Sequence, residues 1–168
     1  MFDNFLPDFM FEKFDDVTPE FLKDKNIRYL LIDIDNTLAP YEEALPNERV
    51  IAWFGMLREN GISSVLVSNN HKERVELFNS VLGLPAFYDC KKPSPGRLKG
   101  YADSIGAIPS ETSALGDQIF TDVWGAKKMG VRAILVPPIK DKKNLFFKTK
   151  RFLERPFIKK YKKIHEEK

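Results

Sequence analysis

Apolar and polar positions along this chain fall into alternating blocks, which read in turn as buried strands and amphipathic helices. Tyr29 to Ile34 is a short apolar run that ends on polar residues, the pattern of a strand buried on both faces. After a loop bearing Pro40 and Pro46, Asn47 is placed to cap a helix to about Glu59, with Gly61 just beyond its end. Ser63 to Ser68, rich in β-branched residues, predicts a second strand, and a helix follows from about Lys72 to Leu82, closed by Gly83. Phe87 to Asp89 suits a short strand, and Ser94-Pro95 is a cap and first position for a helix ending near Gly106. Ser113 to Leu115, a helix from about Phe120 to Met129 with Gly130 after it, and a strand from Arg132 to Val136 complete the order. Strands alternating with helices imply an α/β fold: a three-layer, Rossmann-like parallel sheet with helices on both faces.

In such sheets, ligands bind beyond the carboxyl ends of the strands. The residues expected there are Asp33, Asp35, Ser68 and Asp117, three carboxylates and a hydroxyl around one crevice. A carboxylate held rigidly at a strand end can attack phosphorus once cationic groups screen the phosphate, which makes Asp33 a candidate nucleophile. Asp35, two residues on, is placed to protonate a leaving oxygen and later to deprotonate water. Magnesium takes oxygen ligands, so Asp33 and Asp117 at neighbouring strand ends are candidate ligands, with Asp122 one layer out. Ser68, with its loop amide, and Lys92 before Pro93 are candidates to hold phosphate oxygens, and Lys91 is an alternative to Lys92. Each feature has a plainer reading, as a turn cap, a helix cap or a solvated charge; their order along the chain outweighs it. A calcium-binding EF-hand loop at Asp33 is excluded, because Leu38 stands where that loop needs Gly and Ala44 where it needs Glu.

Taken together these residues resemble the haloacid dehalogenase-like hydrolase superfamily. Its four motifs match Asp33-x-Asp35-x-Thr37, Ser68, Lys92 before Pro93, and Gly116-Asp117-x-x-x-x-Asp122. The resemblance implies Asp33 as nucleophile, Asp35 as general acid and base, and Ser68, Asn69 and Lys92 as phosphate binders. It implies Mg2+ held by Asp33, the main-chain carbonyl of Asp35, and Asp117, with Asp122 and Thr37 in support. The segments Thr37 to Ser63 and Asn70 to Lys92 leave no room for a cap domain, so an open, capless site of subclass IIIA is expected. Asp33 to Leu38, Gly116 to Asp122 and the basic tail are similar to a small capless group, the YqeG-like phosphatases. That group is similar in turn to phosphatidylglycerophosphate phosphatases, which implies a lipid phosphomonoester as substrate.

Charge adds to this picture. The 168 residues carry a net +3, but Lys140 to Lys168 holds 12 Lys and Arg against 4 Asp and Glu, a net +8. The remaining 139 residues hold 15 basic and 20 acidic residues, a net −5, so an anionic partner is expected at the C-terminus. Leu153, Phe157, Tyr161 and Ile164 recur at helical spacing among Lys159, Lys160, Lys162 and Lys163, with Pro156 suited to a first helical turn. That stripe suits either an interfacial helix on an anionic membrane or a helix packed on the body. Phe2, Phe5, Leu6, Phe9, Met10 and Phe14 form a similar N-terminal stripe. The organisation expected is a phosphatase domain over 1–138, with an amphipathic extension at 1–25, and a basic tail over 139–168. No run approaches the length of a membrane span, the start is acidic where a secretory leader would be basic, and Cys90 is the single cysteine. A cytoplasmic protein, at the inner face of the membrane, is the expected setting. The same chemistry on a phosphoprotein or nucleic-acid phosphate, and a non-catalytic RNA-binding module, stay open as rival readings.

Overall fold

The computed structural model describes residues 2–140 and 145–166, without the side chains of Phe2, 145–147 and Glu166. The N-terminal Phe2 side chain and the tail cations Lys142, Lys143 and Lys168 therefore lie outside the described residues. Six parallel strands form one sheet in the order β1-β6-β5-β2-β3-β4. They are β1 Phe9–Met10, β2 Tyr29–Ile32, β3 Ser63–Val67, β4 Ala86–Phe87, β5 Thr112–Gly116 and β6 Arg132–Leu135. The helices are α1 Pro19–Asp24, α2 Glu48–Glu59, α3 Lys72–Asn79, α4 Pro95–Ser104, α5 Trp124–Met129 and α6 Leu145–Glu166.

Strand period decides the two faces. Leu30 and Ile32 point into a core with Val50, Trp53 and Leu57 of α2 and Phe78 of α3. Leu31, between them, points the other way, toward Leu98 and Ala102 of α4. Beside that second cluster, Ala133 and Leu135 of β6 pack with Val123, Ala126 of α5 and Phe157 and Ile158 of α6. The chain moves outward from β2 through β3 to β4, then crosses back to β5 on the other side of β2. The order thus reverses between β2 and β5, and a crevice opens at their carboxyl ends.

At the helix starts, Asn47 caps α2 through its side chain, whereas Ser94 takes the N-cap position of α4 without a side-chain cap bond. The Asn47 side chain accepts from the Val50 amide at 3.1 Å, and Gly61 and Gly130 take the left-handed conformation just past their helices. Three features depart from the sequence reading. The aromatic N-terminal stripe packs on the body, as one of its two sequence readings allowed, with Phe14 buried and Phe9 against Phe21, but Phe9–Met10 adds an unforeseen sixth strand beside β6. That strand is only two residues long, too short for a period to show. The helix expected from Phe120 opens as a π-helical turn, Ile119–Val123. Finally, Pro156 stands inside α6 rather than in its first turn.

The tail stripe is also divided. Phe157 packs against Phe5 and Phe120, and the Tyr161 hydroxyl accepts from the Met10 amide at 3.1 Å. Leu153 and Ile164 face solvent, 52% and 39% exposed, beside Phe152 at 64%. Each four-residue step overshoots one turn by about 40°, so Leu153 and Tyr161 diverge while Ile164 swings back to Leu153. Among the described residues, no helix is long and apolar enough to cross a membrane.

Candidate active site

The strand ends deliver the acids. Asp33 follows β2 and donates its amide to Leu115 of β5 at 2.9 Å, which ties the two strand ends together. Asp117 follows β5 directly, and Asp122 folds back over Gly116 through the π-helical turn. A Cβ on Gly116 would lie 2.3 Å from the Asp122 carboxyl carbon, so only glycine lets that carboxylate reach the sheet end. Asp33, Asp117 and Asp122 present oxygens within 4.8 Å of one another, all buried. Like charges so close in a dry site need cations.

Lys92 is one. Its ammonium sits 2.5 Å from Asp33 Oδ1, 2.7 Å from Asp122 Oδ1 and 3.0 Å from the Val67 carbonyl oxygen. Asn69 clasps the Lys92 main chain, accepting from its amide at 2.7 Å and donating to its carbonyl at 3.1 Å. Burial works to strip the Lys92 proton, but Asp122 and Asp33 outweigh it and raise its pKa above the ordinary 10.5. For Asp33 the balance runs the other way. Burial pushes it well above the ordinary 3.8 against the pull of Lys92, and Asp122 and Asp117 push further. Lys91, the alternative cation, is exposed and lies outside the cavity lining.

Asp35 has quite different company. Its Oδ1 accepts from Arg74 Nε at 3.2 Å, and its Oδ2 from Asn70 Nδ2 at 3.1 Å and from the Ser68 hydroxyl at 3.4 Å. Thr37 donates to Asp33 Oδ2 at 3.3 Å. A cavity of about 340 Å3 is bounded by Asp33, Asp35, Ser68, Lys92 and Asp122, with Tyr41 and Lys150 at its sides. The Tyr41 phenol is pushed up to about 12 by burial and by Asp35, Asp33 and Asp117, so it stays protonated.

The C-terminal helix reaches the same place. Arg151 pairs with Asp117 Oδ2 and donates to the Asp117 carbonyl oxygen at 2.6 Å and to Glu154 Oε2 at 2.8 Å. Glu154, 1% exposed, accepts from the Ile119 amide at 2.9 Å. Burial pushes Asp117 up to about 6, Asp122 adds to it, and Arg151 pulls it back. Lys150, the preceding residue, donates to Gln118 Oε1.

Asp33, Asp35, Thr37, Ser68, Lys92, Asp117 and Asp122 therefore cluster at the ends of β2, β3 and β5, whereas Lys91 stays outside and the Asn69 side-chain amide is spent on the Lys92 backbone. The sequence reading missed Arg74, Tyr41, Lys150, Arg151 and Glu154. Arg74 had a signal: α3 starts just after Ser68, so its first turn stands at the crevice rim. The α6 residues had none, because their approach depends on where a distant helix packs.

The residues present fit a divalent cation. Asp117 Oδ1 is buried and, among the described residues, has no hydrogen-bond partner. An orphaned carboxylate oxygen among three acids suits a hard, oxygen-seeking ion.

Comparison with known proteins agrees with this geometry. A family model described as HAD-hydrolase-like matches residues 89–142. The chain is 33% identical over 154 residues, 92% of its length, to "Probable phosphatase YqeG" of Bacillus subtilis, covering 90% of that protein. In fold it is similar to the cobalt-bound deoxy-D-mannose-octulosonate 8-phosphate phosphatase of Haemophilus influenzae. The TM-score is 0.55 at 12% identity, covering 82% of this chain and 90% of that one. An uncharacterized protein from Listeria monocytogenes gives a TM-score of 0.56 at 12% identity, over 70% and 85% of the two chains. The chain belongs to the haloacid dehalogenase-like hydrolase superfamily, in the family of the YqeG phosphatase relative.

Proposed function

We propose that this protein hydrolyses a phosphomonoester through an aspartyl-phosphate formed on Asp33, with magnesium as cofactor, and that the ester is phosphatidylglycerophosphate at a membrane surface. The observation that carries the chemistry is the buried group of Asp33, Asp117 and Asp122 around Lys92, with one Asp117 oxygen left without a hydrogen-bond partner among the described residues. Asp33, Asp117 and the main-chain carbonyl of Asp35 would hold the magnesium, which supplies positive charge to screen the phosphoryl oxygens.

The protein's own groups supply the rest. The Ser68 hydroxyl, the amide after it and Lys92 hold the phosphoryl group beside Asp33. An Asp33 carboxylate oxygen forms a bond to phosphorus as the ester P–O bond breaks, and the leaving oxygen takes the proton of the Asp35 carboxyl. Asp35, now a carboxylate held by Arg74 and Asn70, takes a proton from water as that oxygen bonds to phosphorus. The P–O bond to Asp33 breaks, releasing phosphate and restoring the nucleophile. Thr37 keeps the second Asp33 oxygen oriented.

The lipid reading is supported by the outer side of α6. There Phe152, Leu153 and Ile164 stand exposed beside Lys159 and Lys163, an apolar strip flanked by cations. An open site, with no cap to admit only small molecules, agrees with a substrate that stays anchored in a bilayer. The test is phosphate release from phosphatidylglycerophosphate in mixed micelles with magnesium, beside soluble phosphomonoesters and an Asp33→Asn control. Lipid turnover lost in the variant and with chelator is the expected result. Turnover of soluble esters alone would discard the membrane setting and keep the chemistry. Inactivity on all of them, with tight RNA binding in both forms, would favour a non-catalytic module.

A further inference from the structure

The cations of the crevice are not equivalent. Lys92 has three donors and meets three acceptors, Asp33, Asp122 and the Val67 carbonyl, so its charge serves the phosphoryl position next to the nucleophile. Arg74 is engaged by Asp35 and by the Ala44 carbonyl at 3.1 Å, and it does not line the cavity. Lys150 lines the cavity and is half-buried, yet among the described residues its hydrogen-bond partner is the neutral amide of Gln118. No carboxylate among the described residues lies within ion-pair distance of it.

Nor is Lys150 an ordinary surface lysine. The next residue, Arg151, is locked onto Asp117, and Glu154 one turn on is buried against the Ile119 amide. Those two anchors fix this turn of α6 against the loop that carries the acids, so the Lys150 stem enters the cavity wall with little freedom. Glu154, Asp122 and Asp117 act on this ammonium only from beyond ion-pair distance, so among the described residues it is a cation at the cavity side bonded to a neutral group, suited to an anion that arrives with the substrate.

We propose that Lys150 is a specificity-determining residue that receives a second anionic group of the substrate, a phosphodiester carried beside the phosphomonoester. The proposal rests on the phosphomonoesterase reading above and adds which esters the site prefers. In this capless fold the C-terminal helix then does what a cap does elsewhere, supplying a substrate contact from outside the sheet.

The test compares two soluble esters, propyl phosphate and glycerophosphoglycerol phosphate, which differ in whether a phosphodiester accompanies the phosphomonoester. Affinities are read by calorimetry with magnesium on Asp33→Asn protein, with and without Lys150→Met, Lys150→Gln or Lys150→Arg. Specificity constants are read on the chain with Asp33 intact. The preference for the phosphodiester-bearing ester should fall about tenfold in Lys150→Met and Lys150→Gln, and return toward the starting value in Lys150→Arg. The loss should appear in KM rather than kcat. An unchanged preference in both neutral variants, each shown folded by its urea midpoint, would overturn the proposal. So would equal loss in Lys150→Arg, or no starting preference between the esters. Absence of turnover with either ester would defeat the hydrolase reading alone, since the calorimetric preference still decides the role of Lys150.

Discussion

Two regions serve one site by opposite means. The ends of β2, β3 and β5 place Asp33, Ser68 and Asp117 through main-chain geometry: sheet register, the Asp33 amide on Leu115, and the Ser68 amide on Phe87 at 3.0 Å. Helix α6 reaches the same crevice across the molecule with side chains alone, Arg151 on Asp117, Glu154 on the Ile119 amide and Lys150 at the cavity side. Groups set by a sheet survive loss of a neighbour. Groups set by a buried ion pair do not, because each partner left behind is a desolvated charge. The difference suggests that chemistry depends on the strands, whereas the shape and charge of the crevice depend on the helix.

The largest effect should come from the strand side. Asp33→Asn is expected to lower kcat by at least about a thousandfold, since it removes the attacking oxygen. The same variant should unfold at equal or higher urea, because it relieves one of three crowded, buried acids. Phosphate-release assays and urea midpoints check both, and substantial residual turnover would remove Asp33 from the nucleophile role.

On the helix side, Arg151→Leu should cost about 3 kcal/mol of stability, since Asp117 and Glu154 would lose their shared cation at 0% and 1% side-chain exposure. A shift below about 0.5 kcal/mol in urea unfolding would show that α6 is not coupled to the site.

A smaller effect links the regions through pH. Asp117 in the folded chain is raised from 3.8 to about 6, so the folded state holds its proton more tightly than the unfolded state does. Its contribution therefore favours folding at low pH and is lost as pH rises from about 4 through 6. With chelator present, urea midpoints should fall from pH 5 to pH 7.5, and the fall should be shallower in Asp117→Asn. An identical slope in both proteins would assign it to other groups.

The smallest change in stability belongs to the outer side of α6. Replacing Phe152 and Leu153 with Ser should shift the urea midpoint by less than about 0.5 kcal/mol in free energy, because both are exposed. Yet the ratio of activity on anionic vesicles to activity on a soluble ester should drop about tenfold. A constant ratio would leave the membrane without a contact on this helix.

Much of the molecule was legible in the linear chain, for local reasons. Apolar runs between capped helices define β2, β3, β5 and β6 within a residue or two, since burial on both faces needs continuous apolar sequence. Asp33, Asp35, Ser68 and Asp117 followed from the rule that parallel strands open their binding crevice at their carboxyl ends. Even the role of Gly116 is local, as Asp122 returns within one turn.

What the tertiary structure alone decided lies far apart in sequence. A two-residue strand such as β1 carries no periodicity, and its partner β6 is more than a hundred positions away. The stripe of α6 could not be assigned to body or solvent from spacing, because drift along the helix sends Phe157 and Tyr161 inward and Leu153 and Ile164 outward. Above all, no pattern around Lys150, Arg151 or Glu154 marks them as site residues. A basic residue in a basic tail looks like any other until packing removes water from around it and leaves an acid at its end.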